Sequence, residues 1–185
     1  MSESKLANEL EDLISRKFPN DEVSLEYLER IKEGKLTKKE NPESHFCTYF
    51  APYDPVAKQI FIGRHKKADK WLVNGGHIDE GETLRECLKR EISEEWGLDA
   101  GDFKIEEPQL LTIFPIWNPG KQPCLKHFDI WHFIPVDKDV FHPNEEKLAE
   151  EFHEWGWFTF EEAMNLNTDD NQRKGFIFVA ENLFI

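Results

Sequence analysis

The sequence predicts an α/β fold with an N-terminal helical extension. Three observations point there. Leucines at helical spacing fill the first 40 or so residues, short runs rich in aromatic and β-branched residues follow, and a glycine-rich turn leads into an amphipathic helix near mid-chain. With 185 residues, 39% hydrophobic and 13% aromatic, the chain can bury one sizeable core and is short for two full-sized domains.

Taken in order, Leu6, Leu10, Leu13 and Ile14 share one helical face, and after "FPND" the residues Val23, Leu25, Leu28 and Ile31 predict a second helix that Gly34 stops. The polar stretch "KLTKKENPES" then separates these helices from chain of a different character. Residues 1–40 therefore read as an appendage and 41–185 as the main domain. The leucine faces of the appendage need cover, either from the main domain or from a second copy of the chain in a homodimer. "HFCTYFAP" and "KQIFIGRH" predict strands around the turn "YDPVA", and "KWLVN" a third. "GGHIDEGE" reads as a glycine-rich loop. The helix after it runs from about Thr83 to Trp96, with Leu84, Leu88 and Ile92 recurring every four residues and Gly97 as its stop. "QLLTIFPIW" and "LKHFDIWHFIPV" predict strands flanking the loop "NPGKQP", and "EFHEWGWFTF" predicts another that leads into the helical "FEEAMNL". The tail "NQRKGFIFVAENLFI" reads as a helix, with a strand as the alternative because of its Phe, Ile and Val content.

A formal net charge of −14 argues against a general electrostatic grip on nucleic acid or on an anionic membrane, both of which need clustered Lys and Arg. No apolar run reaches the roughly 18 residues of a membrane span. The polar start "MSESKLANELEDL" lacks a signal-peptide core, so the expectation is a cytoplasmic protein. Cys47, Cys87 and Cys124 are odd in number and form no C-x-x-C pair, which fits reduced buried thiols; with the histidines scattered, zinc has little support.

The mid-chain helix carries Glu91, Glu94 and Glu95 on an arc of roughly 100°. Like charges three and four apart weaken a helix by roughly 0.2–0.5 kcal/mol per pair, which Arg90, four residues before Glu94, relieves in part. Two readings remain open from these residues alone. One is a solvated acidic face; the other is a site for a hard divalent cation, which takes oxygen ligands.

The segment from Gly76 to Leu98 resembles the signature box of the Nudix hydrolases. Gly76, Glu82, Arg90, Glu91, Ile92, Glu94, Glu95, Gly97 and Leu98 stand at its fixed positions. The order of strands and helices is similar to that family's α/β/α sandwich with a mixed sheet, which would make residues 41–185 the Nudix domain. The resemblance implies a metal-dependent pyrophosphohydrolase acting on a nucleoside diphosphate linked to another moiety, a small nucleotide-type substrate. It implies Mg²⁺ or Mn²⁺ as cofactor, held by Glu94 and Glu95 with the backbone carbonyl of Gly75. Glu91 would be a further ligand or the base that activates water, Arg90 would orient the carboxylates, and Glu82 would hold Arg90. Two carboxylates about 4 Å apart repel by about 1 kcal/mol in water and about 4 kcal/mol at an effective dielectric of 20, so crowding them favours a divalent ion. Asn74 departs from the proline frequent before the glycine pair, which loosens the loop without touching the acids. Two other readings on the same scaffold are a non-catalytic nucleotide-binding module, which has no need of the base, and isopentenyl diphosphate isomerase-like chemistry, for which no cysteine has a recognisable setting.

Further candidates lie outside the box. "HPNEEKLAEEFHE" offers Glu145, Glu146, Glu150, Glu151 and Glu154 as an extra ligand or base, against a solvated charge run. His127 and Asp129, two apart on one strand face, either line a pocket or pair with each other. Trp71, Phe114 and Trp117 could stack a base, and Lys66, Lys67, Lys121 and Lys126 could meet phosphates, although aromatics on strands are more often core and lysines in turns more often solubilising.

Overall fold

A computed structural model describes residues 5–116 and 124–184. Its helices are α1 (Lys5–Lys17), α2 (Ser24–Lys32), α3 (Leu84–Trp96), α4 (Glu145–Glu151), α5 (Phe160–Asn165) and α6 (Asp170–Asn182). Its strands are β1 (Ser44–Asp54), β2 (Gln59–His65), β3 (Lys70–Leu72), β4 (Asn74–His77), β5 (Leu110–Pro115), β6 (Lys126–Pro135) and β7 (Phe152–Thr159). The strands form one sheet in the order β3-β2-β1-β6-β5, with β4 paired to β1 and β7 to β2. β2 runs antiparallel to β1, β3 and β7. β6 runs parallel to β1, since Glu43 O accepts from the amides of Leu125 and Lys126 while Tyr53 O accepts from that of Val136. The sheet is therefore mixed, as expected. Among the described residues no helix is long and apolar enough to cross a membrane.

The chain gathers into two compact units. One comprises Met1–Thr48, Gly76–Cys87 and Leu111–Ile130; the other comprises Tyr49–Gly75, Leu88–Leu110 and Trp131–Ile185. In the first, Leu6, Leu10, Leu13 and Ile14 of α1 and Tyr27 and Ile31 of α2 share a core with Phe46, Ile78, Leu84, Leu111, Phe128 and Ile130. The leucine faces thus find their cover within the chain. The Tyr27 hydroxyl sits between the carbonyls of Thr112 and Asp129 at 2.9 and 2.7 Å, satisfying a polar atom at full burial. Buried Arg30 likewise donates to the carbonyls of Gly34, Lys35 and Ser44. Leu25, expected on the buried face of α2, is 75% exposed instead. Tyr27 takes an inward position, its ring edge-on to Phe46 and Phe128 at 5.7 and 5.1 Å.

The second unit holds two cores. Trp131 and Phe133 of β6 pack with Phe176 and Val179 of α6, where Gly175 leaves room that a Cβ would fill at 2.5 Å from the Trp131 ring. Leu88, Ile92 and Trp96 of α3 pack with Phe50, Phe61, Phe141 and Phe152 and pin one side of that helix. Two segments differ from expectation. The start of the glycine-rich loop is drawn into the sheet as β4, and the charged "EEKLAEE" forms α4, capped by Asn144, whose side chain accepts from the amides of Glu146 and Lys147. The tail resolves as a helix, its start capped by Asp169.

Leu10 is fully buried, so Leu10→Ala should cost about 2–5 kcal/mol in urea denaturation of the whole chain. A change within error of zero would show that α1 contributes nothing to the core it lies in.

Candidate functional site

With Leu88, Ile92 and Trp96 held in the core, α3 turns its acids away from it. Glu91 is nevertheless 7% exposed, while the Glu94 side chain is 59% exposed. Arg90 Nη1 bridges these two, at 2.8 Å from Glu91 Oε1 and 3.1 Å from Glu94 Oε2, the second at the i, i+4 spacing read from the sequence. Glu95 is held differently, by neutral donors. Asn74 Nδ2 donates to Glu95 Oε2, and so does the Gly75 backbone amide to the carboxylate.

Burial, with the charges of Glu91 and Glu151 added, pushes the Glu95 carboxyl up to about 8 against the pull of these two hydrogen bonds. The carboxyl therefore keeps its proton near neutrality unless a positive charge arrives. An all-oxygen donor set of Glu91, Glu94 and Glu95 with that unmet demand suits a hard divalent cation. Asn74 Oδ1 adds a further oxygen beside it, buried and without a hydrogen-bond partner among the described residues. Sequence reasoning gave Asn74 only a turn role and missed this; the signal was its place directly before the glycine pair.

Of the five downstream acids, Glu151 is the one whose charge acts on Glu95. It ends α4 and is itself 3.3 Å from His65 Nε2 and 3.6 Å from Lys67 Nζ. Glu154 pairs with Arg64 at 3.1 Å, and Glu145 and Glu146 lie in the first turn of α4, favourable at a helix start. In the other unit, Glu82 accepts from the Asp79 amide at 3.0 Å and so closes the loop before α3, where Gly81 adopts φ +89°. The weaker candidates are otherwise engaged. Trp71 packs edge-on against Phe158, Lys66 Nζ donates to Ala149 O, and Lys126 pairs with Glu26 at 2.6 Å. Phe114 is partly buried, and Trp117 and Lys121 lie outside the described residues. His127 joins His45, Cys47 and His77, residues scattered in sequence.

The NUDIX-domain family model matches residues 52–178. The chain is 29% identical over 110 residues to an RNA pyrophosphohydrolase of Vibrio atlanticus, covering 55% of this chain and 63% of that protein. It is 27% identical over 111 residues to the nucleoside triphosphatase NudI of Escherichia coli, covering 57% and 72%. The chain spans less than two thirds of the length of the RNA pyrophosphohydrolases it matches. Among solved structures, the fold is similar to the E. coli dihydroneopterin triphosphate pyrophosphohydrolase, with a TM-score of 0.57 at 18% identity over 71% of this chain and 91% of that one. It is also similar to the MutT protein of Bacillus halodurans, with a TM-score of 0.56 at 19% identity over 75% and 83%.

A carboxyl raised on folding binds its proton more tightly in the folded than in the unfolded chain. The stability this contributes is complete below the unfolded value of 4.5 and is lost as pH rises through about 8. Metal-free protein should therefore lose melting temperature across that window, and Glu95→Gln should flatten the loss. Parallel Tm-versus-pH curves in chelator for the two proteins would show that Glu95 does not titrate there.

Proposed function

The chain belongs to the NUDIX family, and from that membership and the acids of α3 we propose that it is a divalent-metal-dependent pyrophosphohydrolase of a nucleoside diphosphate linked to another moiety. The observation that carries the reading is Glu95, hydrogen-bonded by the neutral donors Asn74 and Gly75 and pressed by the charges of Glu91 and Glu151. In this reading residues 41–185 form the hydrolase domain and residues 1–40 its helical extension. Glu94 and Glu95 would be the principal ligands of Mg²⁺ or Mn²⁺, completed by the Gly75 carbonyl, with Glu91 and Glu151 within the same negative field. A divalent cation held there would offset the charge of both the carboxylates and the substrate diphosphate.

The remaining work falls to the chain. Glu91, tied to Arg90 at 2.8 Å, would accept a proton from the water that attacks one phosphorus while the other phosphate leaves with the bridging oxygen. Arg90 would hold Glu91 and Glu94 apart and oriented, and Asn74 would do the same for Glu95. Glu82 would hold Arg90 in turn, and it accepts from the Asp79 amide in the loop before α3. The names of the relatives, an RNA pyrophosphohydrolase and a nucleoside triphosphatase, favour substrates in which a nucleotide carries a chain of phosphates. A net charge of −14 favours small substrates over long polyanions.

A panel of nucleoside triphosphates, oxidised nucleotides, ADP-ribose, NDP-sugars, dinucleoside polyphosphates and a 5′-triphosphorylated oligonucleotide, assayed with Mg²⁺ and Mn²⁺, tests the reading. One class should be hydrolysed in a chelator-sensitive reaction. Glu95→Gln should lower kcat by about 100-fold or more, with a metal-free Tm at neutral pH equal to wild type or higher, because folding no longer has to protonate that carboxyl. Metal-independent binding of a nucleotide without turnover would make the protein a binding module, and equal turnover in wild type and variant would reduce the acids to a solvated face.

A further inference from the structure

We propose that the unit containing α1 and α2 carries a metal site of its own, a four-coordinate zinc centre formed by His45, Cys47, His77 and His127. Neither the α3 carboxylates nor the proposed hydrolysis is part of it. Its origin lies in the sheet. His45 and Cys47 stand two apart on β1 and so point to the same face. β4, paired to β1, supplies His77, and β6, parallel to β1, supplies His127. The intervening Phe46 and Phe128 turn to the opposite face, where their rings stack at 5.2 Å in the core.

Side chains remote in sequence thus converge. One ligand atom from each of the four lies within 4.8 Å of all the others, and the three imidazole centroids are 4.9, 4.8 and 5.3 Å apart. Zn–N and Zn–S bonds of roughly 2.0 and 2.3 Å set donors about 3.4 Å apart in a tetrahedron, which modest side-chain rotations would reach from here. His45 is already oriented for the task. Its Nδ1 lies 3.0 Å from Asn41 O, and because a carbonyl only accepts, the proton resides on Nδ1 and leaves the Nε2 lone pair facing inward, where it accepts a weak hydrogen bond from the Cys124 thiol at 3.8 Å that a metal ion would replace. His127 Nε2 is buried and has no hydrogen-bond partner among the described residues. Burial, with the charge of buried Asp129 added, pushes the Cys47 thiol up, so the thiol gives up its proton only to a cation that binds it.

The donor chemistry selects the ion. Three imidazoles and a thiol are borderline-to-soft ligands that suit Zn²⁺ or Co²⁺ and offer Mg²⁺ nothing. With all four positions taken by protein and His45 and Cys47 buried, the site is of the closed, structural kind. The competing account is a set of neutral rings packed as core, which would bind no metal.

The test uses the full chain, reduced and stripped of metal. Titration with Co²⁺ should produce the thiolate-to-cobalt charge-transfer band together with the intense visible bands of a tetrahedral ion, saturating at one equivalent of this site and all bleached by Zn²⁺. The same spectrum should appear in the double variant Glu91→Gln/Glu95→Gln, which separates this site from the α3 acids. His127→Gln should weaken Co²⁺ binding at least about tenfold, and Cys47→Ser should abolish the charge-transfer band, each variant checked for folding by circular dichroism. The wild-type and double-variant spectra stand even if Cys47→Ser does not fold. No thiolate band in wild type at stoichiometric Co²⁺, a band that survives Cys47→Ser, or a band lost in the double variant would each overturn the proposal.

Discussion

The partial burial of Glu95 beside other carboxylates is the constraint on which the functional reading depends. A lone exposed glutamate would be fully ionised at neutral pH, and a solvated acidic face would hold several such groups without strain. Here Arg90 offsets Glu91 and Glu94, while among the described residues Glu95 accepts hydrogen bonds from an amide side chain and a backbone N–H, both neutral. The negative field at that carboxyl is therefore unmet, and a divalent cation is the simplest species to meet it.

That arrangement relies on packing on both sides of it in sequence. Leu88, Ile92 and Trp96 fix the rotation of α3, so its acids share one direction, and the sheet holds Asn74 and Gly75 at the start of β4. α4 brings Glu151 into the same field, and Gly97, at φ +66°, ends α3 where only a residue free of Cβ strain does so without cost. In the other unit, α1 and α2 complete a core with β-strand residues rather than standing as a tail, which explains why their leucines are spaced as strictly as those of α3.

Much of this was legible in the sequence because it obeys local periodicity. The leucine spacing gave α1, four-residue recurrence gave α3 to within a residue at its start, and alternating aromatic runs gave β1, β2, β6 and β7. Asp169 settled the tail as a helix by capping it, although its composition also fitted a strand. What escaped depended on tertiary neighbours. Leu25 matched the period of α2 yet faces solvent, since Tyr27 fills the core better. α4 was hidden in a run of charges with little apolar content beyond Leu148, and β4 in a pair of glycines that pattern alone reads as loop. The box acids could be singled out because they lie within one helical turn or so. Glu151 and Asn74 could not, because the chain brings them to Glu95 only through strand pairing and loop closure, and the histidines that gather with Cys47 come from three different strands.

The central claim is that Glu95 holds a proton near neutrality which a divalent cation displaces. Calorimetric titration of Mg²⁺ and Mn²⁺ at pH 7 in buffers of different ionisation enthalpy counts the protons released. Close to one proton should leave per ion bound in wild type, the number should fall toward zero above the Glu95 value of about 8, and Glu95→Gln should release none. Binding of the ion with no proton released from wild type at pH 7, or with the same release from Glu95→Gln, would contradict the account.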